Sequence, residues 1–267
     1  MVRCLFVVRL RENKGIFTSF VVILKANWTT AYSREFYQEN GFFLERGGLE
    51  ICRVGDDERW QELKRKVASG KAFGTQARLI SASEAKERFP LLDESSICGA
   101  LWDPQAGLVV PRSLDVVLEM VSRAEKKGAL RNFTNTPATG FEIEDGRIRG
   151  VHTRKGTIRA PLVIVTSGIW GPAVAGLAGV GVPLWPVEHP LLFFGPLESI
   201  QGTQEFLVHP LMRDQGNSAY VRDTGRSEGG MLEWGYYEEK NPRLVAAEEI
   251  GDPGKVKTSP SMHHLSL

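Results

Sequence analysis

Cysteine is scarce in this chain. The 267 residues include only Cys4, Cys52 and Cys98, an odd number with no C-x-x-C spacing. This usage argues against both a disulfide framework and a zinc ribbon. The sequence therefore predicts a protein of a reducing compartment, with the cytoplasm as the default.

Long apolar runs are also missing. The apolar stretch at residues 16–24 is interrupted by Thr18 and Ser19, and it is far shorter than the roughly 20 residues that a transmembrane helix needs. Arg9 and Arg11 interrupt the run that a secretory signal would require. We therefore predict neither a membrane span nor a cleaved signal.

Charge of either sign is not in excess. Thirty-three basic residues against 32 acidic ones give a formal charge of +1, so nothing favours binding to nucleic acid or to an anionic membrane. A content of 42% hydrophobic and 24% charged residues is typical of a soluble globular chain with one large domain or two interleaved ones. The motifs G-x-S-x-G, G-x-x-x-x-G-K-[ST] and H-E-x-x-H are absent, and we predict no metal site.

The most informative stretch is residues 135–171. Its alternation predicts three short antiparallel strands, with a tight turn at Asp145-Gly146, followed by a continuous apolar run at 162–165. Such a run is typical of a strand covered on both faces. It ends in Thr166-Ser167-Gly168, and small residues at the carboxyl end of a central strand let a ligand approach the backbone. The pattern predicts a cofactor site; an ordinary meander followed by a core strand is the alternative.

Three helices are predicted from their ends. Apolar residues recur at helical spacing from Leu114 to Ala124, with Gly128 beyond. Asp56 is a candidate cap for a second helix, and Ser81 with Glu84 has capping-box spacing for a third.

A set of short motifs in one order carries a family resemblance. Together they resemble the amino-acid-oxidase-like (DAO) FAD-dependent oxidoreductases, and within them the sarcosine and dimethylglycine dehydrogenase branch, over roughly residues 31–240. The motifs are Gly47-Gly48-Leu49-Glu50, Phe89-Pro90-Leu91, Asp103-Pro104-Gln105-Ala106-Gly107-Leu108-Val109, Lys127-Gly128-Ala129, Asp145-Gly146-Arg147, Val163 to Trp170, Leu177-Ala178-Gly179, Val182-Pro183, Pro186-Val187-Glu188-His189, Tyr220-Val221-Arg222 and Glu233-Trp234-Gly235-Tyr236.

The resemblance implies a mixed α/β fold. It would comprise part of a doubly wound FAD-binding domain with a β-meander, interleaved with a substrate domain built on an antiparallel or mixed sheet. We expect five pieces along the chain. They are an atypical N-terminal segment (1–28), a substrate-domain portion (29–104), an FAD-domain portion (105–180), a second substrate-domain portion (181–240) and a polar tail (241–267).

The implied reaction is oxidation of a C–N bond, with hydride passing from the carbon beside a secondary or tertiary amine to the flavin N5. The protein's part is to orient the amine and to hold the substrate carboxylate. Arg222 is a candidate for the carboxylate through its planar fork. Tyr220, two residues earlier, would share its face of a strand. The competing interpretation is a solvated edge-strand arginine beside a half-buried tyrosine.

His189 is the third catalytic candidate. The resembled enzymes have a histidine here, followed two positions on by an aromatic residue, whereas this chain has Leu191. Histidine titrates near neutrality and is common in acid–base work, but a lone histidine is often only a hydrogen-bonded structural residue.

FAD contacts are implied at four positions. Ala138 matches the position where the family reads the adenine through its backbone, and Ser167 with Gly168 matches the small turn beside FAD. Trp170 is the fourth candidate contact to FAD. The alternative is that its ring packs against the following helix.

Two family segments are not found. No G-x-G-x-x-G turn occurs to hold the FAD pyrophosphate, and no flavin-contacting C-terminal segment follows residue 240. We therefore expect a truncated gene product, or a chain that works with a partner supplying the FAD-binding elements. The alternative from a different class is a non-catalytic remnant or substrate-binding module that no longer binds flavin.

Overall fold

The computed structural model describes residues 3–4, 16–17, 24–202, 204–238 and 242–250. Most of the predicted N-terminal segment and of the polar tail, including His263 and His264, lies outside the described residues.

Short strands dominate the described residues. The strands are β1 (Arg3–Cys4), β2 (Ile16–Phe17), β3 (Phe43–Glu45), β4 (Gly48–Arg53), β5 (Arg78–Ile80), β6 (Ile97–Asp103), β7 (Gly107–Val109), β8 (Leu130–Arg131), β9 (Ala138–Glu144), β10 (Arg147–Thr153), β11 (Gly156–Arg159), β12 (Val187–Glu188), β13 (Leu191–Phe194), β14 (Leu211–Asp214), β15 (Ala219–Asp223), β16 (Leu232–Tyr236) and β17 (Arg243–Leu244). The α-helices are α1 (Leu24–Glu39), α2 (Asp57–Lys71), α3 (Ala82–Arg88), α4 (Ser113–Lys126), α5 (Gly171–Gly176) and α6 (Ala247–Ile250).

The chain divides into two compact units. Of the described residues, the first unit holds 3–4, 117–188 and 242–250, and the second holds 16–17, 24–116, 189–202 and 204–238. Which unit serves the cofactor and which the substrate remains a prediction.

The second unit is built on a seven-stranded mixed sheet in the order β13-β16-β15-β14-β4-β6-β5. Only the β14–β4 pair is parallel. One face of the sheet is apolar, because alternate residues of its strands join α3 in the main core. The buried members of that core are Leu49, Ile51, Ile80, Ala85, Phe89, Leu92, Ile97, Ala100, Met212 and Val221.

The opposite face of this sheet carries polar side chains from β16 to β4, whereas toward β6 and β5 it packs on α2 through Cys52, Leu101 and Leu79. The strand register places Tyr220 and Arg222 beside Gly235 and Glu233 on β16, and Arg213 beside Glu50 on β4. Glu50 is buried and accepts a hydrogen bond of 2.6 Å from Lys66 of α2. We call this surface the polar sheet face. Buried charge is costly unless it is paired, and the buried carboxylates of this face have cationic partners, Lys66 for Glu50 and Arg222 for Glu233.

The predicted helix starts are confirmed. The Asp56 carboxylate accepts from the Arg59 N–H at 3.0 Å at the start of α2, and Ser81 Oγ accepts from the Glu84 N–H at 3.1 Å at the start of α3. Each cap satisfies a backbone donor that has no partner within its helix. Helix α4 covers the periodic segment that the sequence predicted.

The first unit contains the predicted meander as an antiparallel sheet in the order β11-β10-β9. Asp145 and Gly146 both have positive φ in the β9–β10 turn, as a tight hairpin requires. The prediction of a buried strand at 162–165 is wrong. These residues form no strand, and Leu162 and Ile164 are 73% and 70% exposed.

The mixed α/β class is confirmed. None of the helices in the described ranges combines the length and the apolar character needed to cross a bilayer. Within those same ranges, no three His, Cys, Asp or Glu side chains are grouped so that they could hold a metal ion.

Candidate functional site

An aromatic cluster in the second unit joins two of the predicted catalytic residues. His189 precedes β13, Tyr220 lies on β15 and Tyr237 follows β16. The ring centroids of His189 and Tyr237 are 4.9 Å apart in an edge-to-face arrangement, and those of Tyr220 and Tyr237 are 5.5 Å apart. Separations of this size are favourable for aromatic pairs. His189 and Tyr220 therefore belong to one aromatic cluster, and Tyr237, which the sequence did not single out, connects them.

Gly235 makes room for the Tyr220 ring. The two residues are directly opposite each other on β16 and β15. A Cβ atom at position 235 would overlap the ring and hydroxyl of Tyr220. Glycine is therefore required here for a close approach of side chain to backbone.

Burial raises the pKa of Tyr220 further above neutrality. Desolvation, followed by the neighbouring Tyr237 and the Glu233 carboxylate, raises the pKa of Tyr220 to about 12, and Arg222 opposes this rise. The phenol is therefore neutral at physiological pH and serves as a hydrogen-bonding group.

Arg222 is buried, and its solvated edge-strand interpretation is wrong. Strand β15 lies inside the sheet, and the arginine is 1% exposed. One terminal nitrogen donates to the Glu233 carboxylate and the other to the Asp223 carbonyl oxygen at 3.3 Å. Only Nε has no hydrogen-bond partner among the described residues. The fork of Arg222 is thus largely occupied by protein groups.

Arg213 is a second cation on the polar sheet face, and the sequence prediction missed it. It lies on β14 directly opposite Tyr220 and is half-buried. Within the described part of the chain its guanidinium makes no hydrogen bond or ion pair. Only the pairing of β14 with β15 places Arg213 beside Tyr220, and the sequence does not show this pairing.

A buried carboxylate fixes the chain at the end of β15. The fully buried Asp223 accepts hydrogen bonds from the backbone N–H groups of Val208, His209 and Gly225 at 2.8, 2.7 and 3.0 Å. Its Oδ2 also lies 3.1 Å from His209 Nδ1. Burial alone would raise the pKa of Asp223, but these hydrogen bonds outweigh it and lower the pKa below its usual value.

This depressed pKa predicts acid sensitivity. The stabilisation by Asp223 is fully present above the unfolded-state pKa and is lost as pH falls through the lower folded-state pKa. We expect the difference in unfolding free energy between wild type and Asp223→Asn to be constant near neutrality and to shrink below about pH 4. Urea unfolding at a series of pH values measures it. A difference already shrinking at pH 6 would contradict the assignment.

Gly235→Ala tests the close approach in the aromatic cluster. We expect a loss of about 1–3 kcal/mol of stability, since the new methyl group overlaps the Tyr220 ring. The loss should be near zero in a Tyr220→Ala background, where the overlap is absent. Gly176→Ala is the matched control, because a Cβ there meets open space. Equal losses in the two backgrounds, measured by urea unfolding, would show that the Tyr220 ring is not what Gly235 accommodates.

The four predicted FAD contacts all lie in the first unit. Ala138 begins β9 and is half-buried, and Ser167 and Gly168 lead into α5 with Trp170 at its N-cap. Ser167 is buried, and its Oγ has no hydrogen-bond partner among the described residues. Gly168 has a φ of +56°, with no atom within 4 Å of a Cβ placed there. An orphaned hydroxyl beside an open left-handed glycine suits a polar ligand that approaches the backbone, as FAD would.

Comparison with known proteins identifies relatives of this chain. Human mitochondrial sarcosine dehydrogenase is 31% identical over 239 residues, which are 86% of this chain and 24% of that protein. Rat mitochondrial dimethylglycine dehydrogenase is 27% identical over 205 residues, which are 77% of this chain and 23% of that protein. The chain thus spans about a quarter of the length of these curated relatives.

Comparison with solved structures points to the same kind of enzyme. The crystal structure of L-proline dehydrogenase from P. horikoshii superimposes with a TM-score of 0.73 at 27% identity, covering 87% of this chain and 60% of that one. The family model described as FAD dependent oxidoreductase (DAO) matches residues 23–258. This chain therefore belongs to the DAO family of FAD-dependent oxidoreductases.

Proposed function

We propose that this chain carries the amine-binding site of an FAD-dependent oxidoreductase acting on a secondary or tertiary amine or amino acid, such as a sarcosine- or dimethylglycine-like substrate. The observation that carries the proposal is the contact of both His189 and Tyr220 with Tyr237 on the polar sheet face. FAD, when bound, would supply the hydride acceptor for oxidation at the carbon next to the amine nitrogen.

The aromatic cluster binds the amine end of the substrate. Aromatic faces attract alkylammonium groups, and the neutral Tyr220 hydroxyl is a hydrogen-bonding partner that adds no charge. Histidine is the residue type that accepts protons near neutral pH. We assign His189 the role of taking the proton from the bound ammonium, which leaves the free amine that oxidation requires.

Arg213 binds the carboxylate of the substrate. It lies opposite Tyr220 and keeps its guanidinium free of described protein partners, and a planar fork is suited to a carboxylate. Arg222 has a different task, because its terminal nitrogens are engaged by Glu233 and Asp223. It holds Glu233 in place, and its charge lowers the pKa of Tyr220 against the larger effect of burial.

Substrate binding tests these assignments without any flavin. Arg213→Met is expected to weaken binding of N,N-dimethylglycine roughly 10- to 100-fold in calorimetric titration, since a charge-assisted hydrogen bond is lost. Binding of N,N-dimethylethylamine, which has no carboxylate, should not change. Arg226→Met is the matched control, because Arg226 is exposed in a 3₁₀ turn of the same unit. Equal weakening of both ligands by Arg213→Met would refute the carboxylate role.

The FAD contacts are proposed for the first unit. Ser167 Oγ would donate to FAD, Gly168 would allow its close approach, and the Ala138 backbone would hold the adenine, with Trp170 as a further contact. The orphaned Ser167 hydroxyl supports this assignment.

We also propose that a strand from outside these 267 residues supplies the pyrophosphate turn. Leu162, Ile164 and Val165 are exposed although they form an apolar run typical of a covered strand, and the chain contains no G-x-G-x-x-G. FAD retention after gel filtration should be weak for the chain alone and should rise when a polypeptide bearing such a strand and turn is added. Leu162→Lys should reduce that rise, and equal retention with and without the polypeptide would exclude the partner.

A further inference from the structure

Two of the three cysteines lie side by side in the seven-stranded sheet. Cys52 on β4 pairs with Gly99 on the antiparallel strand β6, and the register then jumps so that Arg53 pairs with Ile97. Cys98 is the extra residue in this bulge. The bulge therefore brings Cys98 to the same step of the ladder as Cys52.

The two thiols interact directly. Burial, followed by a hydrogen bond with the Cys98 thiol, raises the pKa of Cys52 to about 12. Directly opposed residues in an antiparallel ladder have Cα atoms about 4.5–5.5 Å apart, and a disulfide spans about 4.4–6.8 Å between Cα atoms. Cys98 is the bulge residue next to Gly99, which lies directly opposite Cys52, so the two cysteines lie on paired strands at a spacing near that range.

The two cysteines differ in access. Cys98 is exposed, whereas Cys52 is fully buried and lies with its sulfur 3.2 Å from the Asp56 carbonyl oxygen. An oxidant in solution therefore reaches Cys98 first, and Cys52 is the nearest thiol that can react with the product. Solvent access and a neighbouring thiol are two features of redox-sensitive cysteines.

We propose that Cys52 and Cys98 form a reversible disulfide when the protein meets hydrogen peroxide. The Cys98 sulfur attacks one peroxide oxygen, the O–O bond breaks, and a sulfenic acid and one water are formed. The Cys52 sulfur then attacks the Cys98 sulfur, the S–O bond breaks and a second water leaves with the Cys52 proton. Both sulfurs are oxidised, the two peroxide oxygens are reduced, and a thiol reductant reverses the change.

Oxidation has a structural consequence at the start of α2. Cys52 donates its thiol proton toward the Asp56 carbonyl, and Asp56 caps α2 through the Arg59 N–H. The disulfide removes that thiol donor. It also links β4 to β6 covalently, so the oxidised protein should unfold at a higher temperature than the reduced one.

Peptide mapping of the full chain tests the proposal. Trypsin releases Cys52 in residues 47–53 and Cys98 in residues 89–112, and Cys4 is in neither peptide. After one equivalent of hydrogen peroxide we expect the intact mass to fall by two hydrogen atoms and the two peptides to run as one linked species. Dithiothreitol should separate them again.

Single cysteine-to-alanine variants show which thiol is oxidised first and which thiol forms the link. In Cys52→Ala, Cys98 should instead gain oxygen atoms, while in Cys98→Ala, Cys52 should stay reduced. Cys4→Ala should leave the link intact, and in urea the wild-type chain should lose its preference for this pair. Oxygen added to Cys98 of the folded wild type without a link to Cys52, or a link from Cys98 to Cys4 or to a second chain, would overturn the proposal.

Discussion

Arg222→Met is expected to lower the free energy of unfolding by about 3–5 kcal/mol. The substitution leaves the Glu233 carboxylate buried without its cationic partner, and an uncompensated buried charge is among the most costly single changes. Urea unfolding followed by tryptophan fluorescence measures the loss.

Two controls separate charge pairing from side-chain volume. The double variant Arg222→Met, Glu233→Met removes both charges, so it should recover most of the lost stability. Arg78→Met on β5 breaks an ion pair with Glu84 of α3. Water screens the charges of this surface pair, so the substitution should change stability little. If Arg222→Met cost no more than Arg78→Met, the buried pair would contribute nothing beyond a surface one.

Asp223→Ala should be comparably severe. One buried and two part-buried backbone N–H groups lose their acceptor at once, and a hydrogen bond to a charged group contributes about 1.5 kcal/mol or more, so we expect a loss of about 3 kcal/mol or more. The segment around Val208 and His209 should then exchange its amide hydrogens faster than the core strands do. Hydrogen exchange and urea unfolding measure the two effects.

Further variants separate the effect of the Asp223 side-chain volume from the effect of its charge. Asp223→Asn keeps one acceptor oxygen and the same volume, so it should lose less stability than Asp223→Ala. Asp57→Ala, at an exposed acid in the first turn of α2, should cost less than about 1 kcal/mol. Protection of Val208 and His209 that is unchanged in Asp223→Ala would contradict the anchoring role.

Local signals made much of the fold predictable. The caps at Asp56 and Ser81, the periodic segment of α4 and the hairpin turn at Asp145 each act over a few residues, and all four appear as expected. The failure at 162–165 has a different origin. An apolar run becomes a strand only when neighbouring strands satisfy its backbone, and the described residues provide none.

The candidate site was predictable only in part. The motif order pointed to His189 and Tyr220, but their junction at Tyr237 depends on β13, β15 and β16 being neighbours. The unknown strand order also explains why the environments of Arg222 and Arg213 were not predicted. A sequence does not show which strand lies inside a sheet, so it could not separate a buried Arg222 from an arginine on an edge strand, and it gave no reason to single out Arg213.

The central claim is that His189, Tyr220 and Tyr237 form an amine site for flavin-dependent oxidation. Its most direct test is the visible absorption of the chain mixed with FAD and the strand polypeptide, before and after anaerobic addition of dimethylglycine or sarcosine. We expect the blue flavin band to bleach with the wild-type chain, and to persist with Tyr220→Phe and His189→Gln. An unbleached band with both amines, in a wild-type chain that retains flavin, would contradict the claim and favour a module that binds without catalysing.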